Sequence, residues 1–189
     1  MTPRPLVVAL VLCLLTGVSA LADTFNVDQD HSQIAWQVDH LGIAQTHGRF
    51  DRFSGSFDTG SSPTLTFEIE AKSVNTNSKR RDKHLRNKDF FHVNKHPTIT
   101  FKSTQATATE TGWTVQGELS LLGVTKPMEV QIIKTGEGKT RLGYRAGIRC
   151  EFVIRRSEYG MTYGIANGLL GDEIPVRVDI EGIRAKPDA

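Results

Sequence analysis

A chain of 189 residues with 23 Lys+Arg against 21 Asp+Glu is close to neutral. That balance excludes a dedicated nucleic-acid binder, whose domain is strongly basic as a whole. Its two cysteines are Cys13, within an apolar N-terminal stretch, and Cys150, so loss of that stretch would leave no pair for an internal disulfide.

The first residues read as an export signal. Arg4 supplies a positive start, Leu6 to Leu15 is an almost unbroken apolar run, and Ala20-Leu21-Ala22 offers small residues before Asp23. Cleavage before Asp23 is expected, removing residues 1–22 as a signal peptide. The apolar run is too short for the roughly 20 residues of a membrane-spanning helix, so no transmembrane segment is expected. Leu12 before Cys13 argues against a lipoprotein site. The expectation is an exported, periplasmic protein with one domain over residues 23–189, long enough to bury a large core unaided.

Beyond the leader the dominant signal is alternation with period two. Ile34, Trp36 and Val38 share a face. Phe50 falls on even numbering while Phe53, Gly55 and Phe57 fall on odd, which predicts a bulge near Asp51-Arg52. Leu65, Phe67, Ile69 and Ala71 alternate next. Asn77 to Lys88 then lacks alternation and is rich in helix formers, which predicts a short helical insert. Strand patterns resume at Ile99-Phe101, at Trp113-Val115-Gly117-Leu119-Leu121 and at Met128-Val130-Ile132, followed by a long run from Leu142 to Ile154. Ser157 to Asp172, with Gly160, Gly164, Gly168 and Gly171, reads as a long Gly-rich loop with room for one helical turn. Ile174, Val176, Val178 and Ile180 form the clearest strand, with Arg177, Asp179 and Glu181 on its other face. Cys150, between Ile148 and Phe152 in the alternation, reads as a small buried residue and not a nucleophile.

Short connections and one-sided apolar faces predict an all-β, antiparallel protein. About eight such strands can hide their apolar face by closing into a barrel, with room inside for side chains or one small ligand. A two-sheet sandwich satisfies the same periodicity.

The stretch from Lys79 to Lys95 stands apart. Lys79, Arg80, Arg81, Lys83, Arg86, Lys88 and Lys95 face only Asp82 and Asp89, and Phe90-Phe91 lies among them. Charge beside bulky apolar groups suits an amphipathic anion. On a helix, Arg81, His84 and Asn87 would share a face at three-residue spacing. Arg81 could then clamp a phosphate bidentately and His84 donate to it. The plainer reading is a solvated charged helix, with Asp82 pairing Arg81. In an extended chain Phe90 and Phe91 point opposite ways, one anchoring the insert and the other closing the barrel mouth. If the barrel is hollow, Trp36, Phe57, Phe67, Phe101, Trp113, Leu119, Phe152 and Tyr163 are the candidate lining, and alternation alone does not separate lining from packing.

Other chemistries are poorly supported. His92-x3-His96 has a ligand-like spacing, but Pro97 opposes a continuing helix and no third spaced ligand follows, so no metal site is expected. No nucleophile elbow, phosphate loop or dinucleotide fingerprint is present. His31 and Ser32 are adjacent strand residues that point apart, and Asp28 with His31 is expected to fix the start of the first strand.

The motifs then take on a family look. Asp28-Gln-Asp-His31-Ser32-Gln-Ile34, with His40 and Gly48-Arg49-Phe50, resembles the amino-terminal signature of the YceI family. Arg81-Asp82-Lys83-His84-Leu85, Asp89-Phe90-Phe91 and Pro97-Thr-Ile-Thr-Phe101-Lys-Ser103 resemble its central motif. Gly117-Glu-Leu119-Ser-Leu121-Leu-Gly123-Val124-Thr125-Lys-Pro127 and Arg156-Ser157-Glu158-Tyr159-Gly160 resemble the next two. The chain departs from the family pattern at His92, where an acid is common, and at His96, where an aromatic is common. It departs again at Glu158 and Tyr159, where Asp and Phe are commoner.

The resemblance implies an extended, lipocalin-like eight-stranded antiparallel barrel that holds a polyisoprenoid or similar long lipid. On that reading Arg81, His84, Asn87 and Arg156 are the head-group candidates, and no catalytic residue is expected. The partner is a long-chain isoprenoid or other lipid, such as an isoprenoid quinone or a polyprenyl phosphate, with no other cofactor. A homodimer is compatible with the pattern. Two alternatives stay open: an enzyme on isoprenoid or quinone substrates using His84 and Asp82, and a stress-response interaction protein whose basic surface meets a protein or an anionic membrane.

Overall fold

The last strand returns to the first, and this closure organises the molecule. The computed structural model describes residues 23–186, so the expected leader lies outside the described residues. The strands are β1 (Thr24–Val27), β2 (Gln33–His40), β3 (Ala44–Phe50), β4 (Phe53–Asp58), β5 (Leu65–Glu70) and β6 (Val74–Asn75), followed by β7 (Thr98–Ala108), β8 (Gly112–Leu121), β9 (Val124–Thr140), β10 (Gly143–Arg155) and β11 (Glu173–Arg184). One helix, α1 (Lys79–Leu85), interrupts them. Pairing runs β1-β4-β5-β7-β8-β9-β10-β11 and back to β1, always antiparallel. The barrel is therefore closed with eight strands.

β11 serves two partners along its length. Its first half pairs with β2, Val176 opposite Trp36, and its second half with β1, Gly182 opposite Val27. β1 and β2 are thus one strand line, broken at a 3-10 turn, Gln29–His31. β3 and β4 form the neighbouring line, broken at Asp51-Arg52 where the parity of the phenylalanines shifts. Beyond that break β3 has only the two-residue β6 on its outer edge, Arg49 opposite Asn75 and Phe50 opposite Val74. Half the barrel is sealed by ladder hydrogen bonds. The other half has a seam, covered by α1 and the coil to Pro97.

The sealed end is solid. Phe25 and Phe57 are fully buried and stack with centroids 5.5 Å apart, and Tyr144 stacks on Phe25 at 6.2 Å. A Cβ on Gly182 would come within 2.7 Å of both phenylalanines, so that position accepts only glycine. Trp113 is buried and donates from Nε1 to the Gly60 carbonyl at 2.9 Å. Among the described residues no helix is long and apolar enough to cross a membrane.

The insert is shorter than its sequence suggests. Ser78 caps α1, its hydroxyl accepting the Arg81 N–H at 3.4 Å, and the helix ends at Leu85. The Asn87 carbonyl then accepts both the Phe90 and the His92 N–H at 3.0 Å, folding the chain into tight turns. Because this stretch is turned rather than extended, Phe90 and Phe91 both reach the interior.

Phe57→Ala should lower stability by about 3–5 kcal/mol, the cost of emptying a buried aromatic site. Urea unfolding measures it.

Candidate functional site

The seamed half of the barrel is hollow, with a cavity of about 510 Å³. That lies within the ~300–1,000 Å³ typical of small-molecule sites. Its wall is almost wholly apolar: Ile148, Cys150, Phe152 and Ile154 come from β10, Val130 and Ile132 from β9, and Val176 and Val178 from β11. The alternation that made these residues look like core is what turns them inward.

Two glycines help keep the space open. Trp36 on β2 lies across Gly48 on β3, where a Cβ would stand 2.2 Å from the indole. Phe101 lies across Gly117 in the same way, at 2.4 Å. Each ring rests against the wall instead of crossing the lumen. The Trp36 Nε1 is buried and has no hydrogen-bond partner among the described residues, so its contacts with the protein are those of shape.

Polar groups gather where the cavity opens. His40 and Thr46 stand at the ends of β2 and β3, Arg81 and His84 on α1, and Arg156 at the start of the Gly-rich loop. His84, Phe90 and Tyr163 form a three-ring cluster with every centroid pair 5.0–5.1 Å apart, tying the insert to that loop. His84 Nε2 meets Asp89 Oδ2 at 3.0 Å. Arg81 is not paired with Asp82. It donates from Nε to the Thr76 hydroxyl and from Nη2 to the Thr76 carbonyl, both at 2.8 Å, while Asp82 is buried and accepts from the Thr76 N–H and hydroxyl. His84 and Asp82 therefore serve different partners, and no acid–base pair forms between them.

Of the head-group candidates, Arg81, His84 and Arg156 border the cavity and Asn87 does not. Asn87 lies past the end of α1, exposed, so the face it was expected to share stops one turn earlier. Arg156, 2% exposed, donates to four loop carbonyls: Gly171 at 2.8 Å, Met161 at 3.0 Å, Tyr163 at 2.9 Å and Leu170 at 3.3 Å. Burial lowers its pKa from the ordinary arginine value, with the charge of Asp172 opposing. Arg156 is the clamp of the loop, a role its motif did not disclose. Burial would raise the Asp172 pKa, but the Ser157 N–H and hydroxyl, at 2.8 and 2.7 Å, hold it below its ordinary value, with the charge of Arg156 helping.

Of the lining candidates, Trp36, Phe67, Phe90, Phe91, Phe101, Leu119, Phe152 and Tyr163 are on the wall. Phe57 and Trp113 are not: they fill the sealed end, since strand alternation gives a residue's face but not its height in the barrel. Sequence reasoning missed the Met161, Leu169 and Leu170 contributions from the loop, which has no periodicity to reveal them. Cys150 faces the lumen as an inert thiol, pushed up to about 12 by burial and then by the charges of Asp179 and Glu151.

Among the described residues one trio could gather a metal ion, Asp28, His31 and Glu181. Arg145 Nη1 donates to both carboxylates, at 2.5 Å to Asp28 and 2.6 Å to Glu181, so a cation already bridges them. His31 Nδ1 meets Asp28 at 2.9 Å, and the group ties the β1–β2 break to β10 and β11. His92 and His96 have ring centroids 5.8 Å apart.

A YceI-like domain model matches residues 25–182. The chain belongs to the YceI-like family. A UPF0312 protein of Yersinia enterocolitica is 36% identical over 180 residues, covering 92% of this chain and 93% of the relative. The crystal structure of a Campylobacter jejuni YceI protein superposes with a TM-score of 0.69 at 28% identity, over 78% of this chain and 90% of that one. A polyisoprenoid binding domain from Saccharophagus degradans, implicated in plant cell wall breakdown, superposes with a TM-score of 0.68 at 16% identity, over 87% and 99%. Across the YceI-like match the barrel, its insert and its Gly-rich loop are one unit.

Arg156→Lys keeps the charge but cannot reproduce the four-bond fork, so amides of residues 157–172 should exchange faster while those of β8–β10 hold. Because the Asp172 pKa is depressed, its contribution is present above the unfolded carboxylate pKa and is lost as pH falls through the folded value. Protection of the loop amides in the parent protein, exchange being taken relative to the intrinsic rate at each pH, should therefore fall on acidification below the ordinary carboxylate range.

Proposed function

We propose that this protein is an exported, periplasmic carrier that holds a long-chain isoprenoid-type lipid, tail in the lumen and head at the mouth. One observation carries the reading: an apolar cavity sealed at one end whose polar groups, Arg81, His84 and His40, stand at its opening. An amphiphile has that distribution. The ligand class in the name of the Saccharophagus degradans neighbour supports the choice of an isoprenoid. Binding is favoured over turnover because His84 pairs with Asp89 while Asp82 is committed to Thr76.

Affinity on this reading comes from the tail. At roughly 0.8 kcal/mol per buried methylene, one five-carbon unit contributes about 3–4 kcal/mol. About five or six units reach the practical ceiling near 18–21 kcal/mol, so ordering and desolvation offset much of a longer chain. The head then selects. Arg81 has Nη1 without a partner among the described residues, available to a phosphate or carbonyl oxygen.

Mass spectrometry of organic extracts from freshly purified protein should find an isoprenoid-type lipid; an empty extract, with no uptake of added isoprenoid, removes the reading. Arg81→Ala should weaken a polyprenyl phosphate about tenfold more than the matching alcohol, the scale of one charge-assisted hydrogen bond. Equal losses take Arg81 out of head-group selection. Cys150→Trp should displace both ligands while circular dichroism still reports the folded barrel.

A further inference from the structure

The tip of the β2–β3 hairpin is apolar where a turn is normally polar. Leu41 and Gly42 have φ of 60° and 66°, and the Ile43 N–H donates to the His40 carbonyl at 3.1 Å, closing a β-turn centred on Leu41-Gly42 inside the three-residue loop between paired His40 and Ala44. Such turns favour Asn-Gly, because a bulky side chain at positive φ is strained. A Leu-Gly pair at positive φ recurs at Leu122-Gly123, with φ of 54° and 76° in a two-residue loop, but there the leucine packs against the core. Leu41 has no such reward: it is 51% exposed, and Ile43 beside it is 85% exposed. The tip is also fastened by hydrogen bonds. The Leu41 N–H donates to the Leu169 carbonyl, and Asp39, the acidic residue beside the tip, turns Oδ1 onto the Gly42 N–H at 2.7 Å.

This ridge borders the cavity opening, since His40 and Leu170, bridged to each other, both line the lumen. Exposed Tyr163 continues the apolar rim to α1 through its contact with His84. The insert is cationic: Lys79, Arg80, Lys83, Lys88 and Lys95 are exposed and make no ion pair among the described residues, with Lys79 and Lys83 bordering grooves beside Arg52 and Lys72. An apolar ridge joined through Tyr163 and His84 to a cationic insert is complementary to a surface that is anionic outside and apolar just beneath.

We infer that the mouth rim docks on a bilayer carrying anionic phospholipid, with Leu41 and Ile43 entering the interface and the cations of the insert facing the headgroups. The docking stands on the rim alone; its use, passing a lipid between bilayer and lumen without exposing the tail to water, rests on the carrier reading above.

Flotation of the purified protein with vesicles tests it, using phosphatidylcholine alone or mixed equally with phosphatidylglycerol, and no isoprenoid. The protein should float with the mixed vesicles and lose them as salt shortens the screening length from about 10 Å at 0.1 M to about 3 Å at 1 M. Ile43→Asp should weaken vesicle binding about tenfold or more, the scale of one apolar side chain left in water, and Arg80→Gln, one helical turn from His84, roughly fivefold. Leu41→Asn should raise the melting temperature by about 2–4 °C while weakening vesicle binding, opposite changes that a structural role for Leu41 would not produce. Absence of flotation, Ile43→Asp behaving as the parent, or an Ile43-dependent dimer without vesicle binding would each overturn the docking. Isoprenoid uptake from detergent, measured on the same samples, keeps the readings apart: uptake without flotation overturns docking alone, and flotation without uptake overturns the carrier reading alone.

Discussion

β11 is hydrogen-bonded to β1 at one end and to β2 at the other, and the rest of the molecule follows from that divided pairing. Where β1 and β4 complete the ring, every strand has two partners and the interior packs solid around Phe25 and Phe57. Where β2 and β3 take over, β3 finds only the short β6, and the ring does not close by ladder bonds. Unpaired strand edges are costly and prone to wrong pairing, so the chain covers this one with α1 and the turns that follow. The cavity lies on the same side as the seam. Closure and hollowness are consequences of one topology.

Within that half, the wall depends on residues without side chains as much as on those with large ones. Gly48 and Gly117 let Trp36 and Phe101 lie flat. Arg156 and Asp172 perform the matching task for the loop, replacing regular backbone pairing with side-chain bonds to carbonyls and amides. Aromatic contacts among His84, Phe90 and Tyr163 then join insert to loop.

Much of the barrel was legible in the sequence because alternation is a one-dimensional record of a two-sided sheet. The parity change between Phe50 and Phe53 marked the break in its strand line, and the glycines after Ser157 marked the loop. Height along the barrel leaves no such record, so Phe57 and Trp113 read like lumen residues although they plug the sealed end. β1 was too short to announce itself, although Phe25 within it is among the most buried residues. Three-residue spacing placed Asn87 beside Arg81 and His84, but spacing does not say where a helix stops. The turns after Leu85 are set by backbone bonds to Asn87, which residue types alone do not reveal. Arg156 resembled a ligand group because its motif names the residue and not the carbonyls that surround it.

The insert is held in shape mainly by its own arginines. Arg86 donates to the Lys72 and Val74 carbonyls, and Arg81 to Thr76, all within the segment that immediately precedes α1. The ladders of β7 to β11 do not pass through it. Residues 72–97 therefore behave as a cassette: their surface can diverge between relatives without disturbing the scaffold that forms most of the lumen wall. Selectivity at the opening and capacity inside are separable traits, free to evolve at different rates in one small protein.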